Sequence, residues 1–277
     1  MHQLKWKDKH LNLSHPAVMG VLNLTPDSFY DGGKYGRLDD IIRQAEKMIE
    51  EGTAIIDLGA VSTRPNSTDV LEEEEWNRLK AVLPALRKRF PDTLLSVDTY
   101  RASIARASAD LGTDIINDIS GGRFDEKMFA TIAKLDIPYV MMHIKGTPAT
   151  MQQNPVYDDV VIDICNFFDK QLKKLAALGV TKNIILDPGF GFGKTVEHNF
   201  ELLQRFSEFK KLEHPLLAGL SRKSMINKVL GIKPENALNG TTVLNTIALL
   251  NDANILRVHD VKEAVEAVKL VEVVAGN

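Results

Sequence analysis

The sequence predicts an α/β protein folded as a single-domain (β/α)8 TIM barrel, on three observations. Eight short apolar runs recur along the chain, segments with helical periodicity separate them, and most runs end abruptly in a polar side chain. The runs are VMGVLN (18–23), IIDLG (55–59), LLSVDT (94–99), DIINDI (114–119), YVMMH (139–143), IILDPG (184–189), PLLAGLS (215–221) and ILRVH (255–259). Each is apolar at nearly every position rather than alternating, which is what parallel strands buried on both faces require. They lie roughly 20 to 45 residues apart, and most intervals leave room for a loop and one crossover helix. An open doubly wound sheet is the competing arrangement, but no GxGxxG follows the first run.

Residues 1–16 precede the first strand and are expected to form a short lid over the N-terminal end of a barrel domain spanning 17–277. The first two connections, 24–37 and 60–72, are long and rich in Gly, Pro, Ser, Thr and Asp, as segments that close over a substrate are. Both are expected to be mobile without ligand. The run EEEE (72–75) reads as an acidic helix start favoured by the helix dipole. In 157–178, Val160, Val161, Ile164, Phe167, Phe168, Leu172 and Leu175 recur at helical spacing, and Gly179 supplies the stop. Val261, Ala264, Val265, Val268 and Val271 repeat the pattern in the last helix, over 261–271.

Composition narrows the function classes. With 34 Lys and Arg against 37 Asp and Glu, the 277-residue chain carries a net charge of −3, which argues against a protein that grips nucleic acid by bulk charge. A local basic pocket is still compatible with that average. At 44% hydrophobic residues the chain has enough apolar surface for one continuous core, so no staple is needed. The single cysteine, Cys165, excludes a disulfide framework and any CxxC pair, and its neighbours DICNFFD read as a helix with a buried face. The first twenty residues lack the apolar core of a secretory signal, and no stretch approaches the ~18 apolar residues of a membrane span. A cytoplasmic protein with neither membrane nor nucleic-acid partner is therefore expected.

A polar residue ending a barrel strand lies at the C-terminal mouth, where this fold builds its active sites. Asn23, Asp57, Asp98, Asn117, Asp118, His143, Asp187, Arg222, Lys223, Arg257 and His259 all occupy such positions. Any one of them is explained by a turn or a helix cap. Their convergence from different strands points to a mouth that mixes carboxylates, carboxamides and cations, suited to a polar heterocycle plus an anion.

The motifs NLTPDSFYDGGKY, VSTRP, SVDT, NDISG, DPGFGFGKT, GLSRKSM and RVHDV follow in order after the first, second, third, fourth, sixth, seventh and eighth strands. Together, from about Ala17 to the C-terminus, they resemble the dihydropteroate synthase family of pterin-binding enzymes. That resemblance implies a transferase that joins 6-hydroxymethyl-7,8-dihydropterin pyrophosphate to p-aminobenzoate and releases pyrophosphate. It assigns the pterin's adjacent N–H donors to Asp187, its neighbouring edge to Asn117 and its carbonyl to Lys223. Met142 is expected to line the pterin pocket and Met141 to pack away from it. The leaving group needs cations placed before bond breaking. Arg257 and His259, two apart on one strand and so on one side, are expected there with Arg64, Ser62 and Thr63. Asn23 matches the family's magnesium-side ligand, and Mg2+ prefers phosphate oxygens and water with only one or two protein oxygens. Asp98 is matched to stabilising a cationic pterin intermediate or to binding the ring in the ground state. Asp98, Lys223 and Arg257 are thus the expected catalytic residues. For p-aminobenzoate, Phe29, Pro65 and Phe192 would form an aromatic wall, and the SRKS turn ending at Ser224 would offer backbone N–H groups to the carboxylate; Phe190 fits wall or core equally.

Two positions depart from the family pattern: Val61 stands where many members carry Glu, and Asn66 where many carry Gly. FGFGKT has glycines and a lysine but not the GxxxxGK[ST] spacing, so it marks no nucleotide site. The final helix, 260–274, suits barrel packing or a homodimer contact, and the resemblance implies a homodimer. A methyltetrahydrofolate-dependent corrinoid methyltransferase shares the pterin set but has no use for Arg257 and His259 on pyrophosphate, nor for the NLTPDSF and SRKS loops. A non-catalytic pterin-binding barrel would be signalled by loss of Asn23, Asp98, Asp187, Lys223 or Arg257, and all five are present.

Overall fold

The computed structural model describes residues 2–24, 34–61 and 70–276, and for 34–37 the backbone alone. The chain starts as a β-hairpin, β1 (Gln3–Trp6) and β2 (Lys9–Asn12), paired antiparallel. Alternation sorts its side chains: Leu4, Trp6, Leu11 and Leu13 are buried in the main core, while Lys5, His10 and Asn12 face solvent. The Lys5 N–H donates to Asn183 Oδ1 (3.0 Å), Asn183 Nδ2 donates back to the Lys5 carbonyl (2.8 Å), and Lys9 Nζ pairs with Asp114 Oδ1 (2.7 Å). Asn183 and Asp114 immediately precede two barrel strands, so the hairpin is fastened to the N-terminal end of the barrel.

Among the described residues eight parallel strands follow: β3 (Ala17–Asn23), β4 (Ile55–Gly59), β5 (Leu94–Asp98), β6 (Ile115–Asp118), β7 (Tyr139–Met142), β8 (Ile184–Asp187), β9 (Leu217–Ala218) and β10 (Ile255–Val258). Their spatial order is β8-β7-β6-β5-β4-β3-β10-β9, and a parallel bridge between Leu186 and Leu216 joins the two ends. The sheet is therefore a closed barrel, as expected. Only β9 is much shorter than its apolar run, 215–221. Pro215 has no N–H to give a ladder; its carbonyl accepts from the Leu186 N–H (2.9 Å), and regular pairing is confined to Leu217 and Ala218.

The connecting helices are α1 (Lys34–Glu50), α2 (Glu72–Arg89), α3 (Ala102–Asp110), α4 (Met128–Leu135), α5 (Val160–Ala177), α6 (Val196–Gln204), α7 (Ser224–Leu230), α8 (Leu238–Leu250) and α9 (Val261–Ala275). Helix α1 begins inside the segment expected as loop, carrying a regular backbone through Gly36 at a cost of about 1 kcal/mol. Helix α5 starts at Val160, the first residue of its apolar pattern, because Asp159 caps it, accepting from the Val161 and Ile162 N–H groups (2.9 Å each). It stops at Gly179, which takes φ 84°. In α2, Glu72–Glu75 occupy the first turn and Arg87–Arg89 the last, favourable at both ends of the helix dipole. Glu75 does more than that, since it is buried and ion-paired with Arg101. Cys165 is buried in α5, and burial pushes its thiol up. Among the described residues no helix is long and apolar enough to cross a membrane.

Asp114 ties three layers together at the barrel's N-terminal end. Its carboxylate takes Lys9 from the hairpin, Arg87 from α2, and the Leu95 N–H of β5 at 2.9 Å. Removing one side of a buried ionic network leaves the other charges uncompensated, at about 3–5 kcal/mol. Asp114→Ala is expected to lower unfolding stability by about that amount in a denaturant titration; a loss below about 1 kcal/mol would show that the Asp114 network does not hold the hairpin.

Candidate active site

Residues paired across parallel strands share a face of the sheet, so register decides which polar groups meet. One chain of partners runs Asn23, Gly59, Asp98, Asn117. Two residues away along their strands, on the same face, lie Asp57 on β4 and Met142 with its partner Asp187 on β7 and β8. Arg257 pairs with Met19, four residues before Asn23 and again on that face. The sequence thus collects Asn23, Asp57, Asp98, Asn117, Met142, Asp187 and Arg257 inside the barrel.

Three other strand-end residues go elsewhere. Asp118 and Met141 occupy the outward face, where Asp118 accepts from Tyr139 Oη (2.7 Å) and from the Ser120 and Gly122 N–H groups. His143 lies beyond β7 against Lys194 (3.2 Å). Arg222, at φ 56°, turns to Asp260, with Nε–Oδ2 3.0 Å and Nη2–Oδ1 2.6 Å. Their polarity serves loop and helix attachment.

At the centre is a buried ionic group. Arg257 places Nε 2.7 Å and Nη2 2.6 Å from Asp57 Oδ2, and Nη2 2.8 Å from Asp98 Oδ2. Asn117 Nδ2 donates to the same Asp57 oxygen at 3.1 Å. Burial pushes the Asp98 carboxyl up to about 7; Arg257 opposes that shift, while Asp57, Glu75 and Asp118 add to it. Burial works against the charge on Arg257, but Asp57 and Asp98 outweigh it and hold the guanidinium above its ordinary value.

Asp187 accepts the Gly189 N–H through Oδ1 (2.7 Å), and burial raises its carboxyl despite Lys223 nearby. Lys223 donates to the Phe190 carbonyl, and its Nζ stands 4.6 Å from the centre of the Phe192 ring. Burial brings its ammonium down to about 8, with Asp187 resisting. Phe190 resolves to core, fully buried and stacked on Phe206 at 5.9 Å. Phe192 is half-buried beside Met142, Ile119, Ile144 and Met151. Ser224 opens α7 directly after Lys223. His259 is exposed, with Nδ1 3.0 Å from Ser221 Oγ.

The loop after β8 is held by its own backbone groups. Lys194 Nζ donates to the carbonyls of Gly189 (2.8 Å) and Phe192 (3.1 Å). Gln152 reaches Gly191 O (2.9 Å), Tyr157 reaches Gly193 O (2.7 Å), and Asn199 accepts the Gly191 N–H (2.7 Å). Burial, reinforced by Lys223 and Lys145, pushes the Lys194 ammonium well down. This lysine faces inward under its own loop rather than out toward a phosphate.

The family model described as "pterin binding enzyme" matches residues 19–259. Curated dihydropteroate synthases from Escherichia coli K12 and Haemophilus influenzae are each 45% identical, the first over 95% of this chain and 93% of its own, the second over 97% and 98%. The chain belongs to the dihydropteroate synthases. The Yersinia pestis dihydropteroate synthase, solved with a sulfonamide drug complex, superposes with TM-score 0.93 at 42% identity over all of both chains. The Xanthomonas albilineans dihydropteroate synthase, solved with 4-aminobenzoic acid, gives TM-score 0.92 at 35% identity over 99% of this chain and 98% of that one.

Of the residues expected at a dihydropteroate synthase site, Phe29, Ser62, Thr63, Arg64 and Pro65 lie outside the described residues, as does Asn66, and so does most of each of the two long connections expected to move. From the sequence Asp57 is expected only as one of the polar residues at the mouth, with no individual role, and Lys194 is not expected at the site. For Asp57 the signal was present: a carboxylate in the middle of an apolar strand buried on both faces needs partners. For Lys194, Gln152, Tyr157 and Asn199 no local pattern announces a role, because they act on backbone groups of a distant loop.

Gly189 shows how tightly that loop is seated. It takes φ 73°, and a Cβ there would lie 2.0 Å from the His143 carbonyl oxygen; Gly179 has a similar φ, 84°, and open space around it. Gly179→Ala is expected to cost about 1–2 kcal/mol for the left-handed backbone, and Gly189→Ala at least about 3 kcal/mol because an immovable carbonyl is added. Urea unfolding of both variants checks this, and equal losses would contradict the close contact.

Proposed function

We propose that the mouth of this barrel condenses 6-hydroxymethyl-7,8-dihydropterin pyrophosphate with p-aminobenzoate, giving 7,8-dihydropteroate and pyrophosphate in the cytoplasm. The observation that carries this reading is the inward convergence of Asp187, Asn117 and Lys223 beside the half-buried Arg257–Asp98 pair. An ionised Asp187 accepts the pterin's paired N–H donors, Asn117 and Lys223 address its amide edge and carbonyl, and Met142 packs on the ring. Arg257 and His259, with Arg64 and Thr63, draw charge from the leaving pyrophosphate. C–O cleavage then leaves positive charge on the pterin methylene, the arylamine nitrogen attacks it, and the surplus N–H proton passes to water or the released pyrophosphate. Asp98 stabilises that cation, while Phe29, Pro65, Phe192 and the Ser224 turn hold the aminobenzoate.

Among the described residues no three His, Cys, Asp or Glu side chains cluster to cage a metal. Asn23, level with Asp98 in the register, offers one carboxamide oxygen. That donor set fits Mg2+, which keeps water and phosphate oxygens in its shell. Bound there, the ion would neutralise pyrophosphate charge. The chain reads as a hairpin lid, 1–16, on a barrel, 17–277, and as a homodimer. Val243 and Leu250 on α8 and Leu270, Val273 and Val274 on α9 are exposed large apolar side chains that suit a contact between copies.

Purified protein mixed with both substrates and Mg2+ is expected to form dihydropteroate and pyrophosphate in equal amounts; no product would overturn the reading. If Asp98 acts as the carboxylate, kcat/KM falls about tenfold per unit as pH drops below about 7, because protonation removes the charge. Asp98→Asn should flatten that limb and lower turnover with pterin affinity kept; lost affinity alone would assign Asp98 to ground-state binding. Light scattering after gel filtration is expected to give a dimer mass, and Leu270→Glu with Val273→Glu a monomer mass. A monomeric wild type would remove the homodimer.

A further inference from the structure

Asp57 is the middle residue of β4, with its side chain fully buried between apolar neighbours. A carboxylate there is sustained only by what it binds. Its Oδ2 atom takes Arg257 Nε (2.7 Å), Arg257 Nη2 (2.6 Å) and Asn117 Nδ2 (3.1 Å), and among the described residues Oδ1 has no partner. Both residues caught by that oxygen belong to the condensation chemistry, one on each side of the bond that breaks: Asn117 toward the pterin and Arg257 toward the pyrophosphate. Arg257 uses Nε and Nη2 on the two carboxylates, so Nη1 would be the guanidinium donor offered to a phosphate oxygen.

We infer that Asp57 is a positioning residue, whose Oδ2 atom fixes the Arg257 guanidinium relative to the Asn117 carboxamide and so sets the distance between the leaving-group cation and the pterin edge. The inference rests on the proposed condensation reading. Asp57 stays with Arg257 when the arriving pyrophosphate draws the guanidinium away from Asp98, and it prevents the arginine from following the leaving group out of the mouth. Asp98 is thereby released from its counter-ion at the moment positive charge develops on the pterin. The charged groups around Asp98 are Arg257 on β10, Asp57 on β4, Glu75 on α2 and Asp118 on β6.

The test uses Asp57→Asn, which keeps the shape and one acceptor oxygen while removing the charge. Three readouts are expected: kcat lowered at least tenfold with the p-aminobenzoate KM unchanged, pyrophosphate binding by calorimetry weakened about tenfold, and the acid limb of the pH–rate profile moved to lower pH. The last follows in sign because the Asp57 charge is one of those raising Asp98, so its removal lets Asp98 ionise at lower pH; that shift reports the lost charge, and the weakened pyrophosphate binding reports the position of Arg257. Wild-type kinetics, or a uniform loss with an unmoved limb and unchanged pyrophosphate affinity, would overturn the inference. Wild-type turnover in the same assay tests the condensation reading separately, and calorimetry reads Asp57 without turnover. Should Asp57→Asn purify unfolded, Asp57→Asn with Arg257→Gln decides, since it removes both charges. Recovered folding with pyrophosphate affinity equal to that of Arg257→Gln alone supports action through Arg257, and an unfolded double variant overturns it.

Discussion

A closed parallel barrel gives every strand one inward and one outward face, and its shared register forces residues of like parity on neighbouring strands to the same side. Everything at the mouth depends on this constraint. Shifting β4 by one residue would move Asp57 to the helix layer and bring Leu58 inside; Arg257 would then have only Asp98. The Leu186–Leu216 bridge and the hairpin fastened through Asn183 and Asp114 hold that register at the weakest seam and at the N-terminal end. Stability at one end of the barrel is in this sense a condition for chemistry at the other.

Magnitudes explain why the buried groups settle as they do. At an effective dielectric near 20, two unit charges 2.8 Å apart attract by about 6 kcal/mol, against a desolvation cost of several kcal/mol for each ion. Arg257 faces two carboxylates and stays charged. Asp98 rises to about 7 chiefly because it is desolvated, and its share of one guanidinium does not offset that burial and the repulsion of other carboxylates. The mouth without substrate is therefore an unequal three-body arrangement. In the proposed reaction an arriving polyanion would compete for Arg257, and the carboxylate with the weaker hold would be the one displaced.

The barrel itself was legible because burial on both faces leaves a compositional mark. IIDLG, YVMMH and IILDPG tolerate almost no polar residue, so each one that appears stands out. Asn23, Asp98, Asn117, Asp187 and Arg257 could be read as strand-end groups, and parity then explains why they meet. Asp118, His143 and Arg222 carried the same mark with a different outcome. A strand-end polar residue is needed both by an active site and by the turns and helix ends that follow each strand, and only the register or a distant partner such as Asp260 separates these uses. The cage around the loop after β8 was illegible for another reason. Gln152, Tyr157, Lys194 and Asn199 bind backbone carbonyls and an N–H, and a backbone group leaves no signature in the sequence beyond the glycines that permit its approach.

That cage bears on how the site tolerates its own polarity. Asp187 and Phe192 belong to the segment 187–193 and Lys223 touches it, and the segment's carbonyls already have donors from Lys194, Gln152, Tyr157 and Lys223. A loop with unsatisfied carbonyls beside a cationic intermediate would collapse onto it or draw in water. With those acceptors occupied, the inward carboxylates are left as the stabilising negative charge, and their protonation state decides how much of it there is. Lys223 is held to about 8 by the same burial, so near neutral pH its ammonium remains largely charged while Asp98 is balanced between its two forms. In the proposed reaction the pterin would therefore enter a site whose donors are settled and whose principal acceptor is still adjustable, and the competition for Arg257 would adjust it.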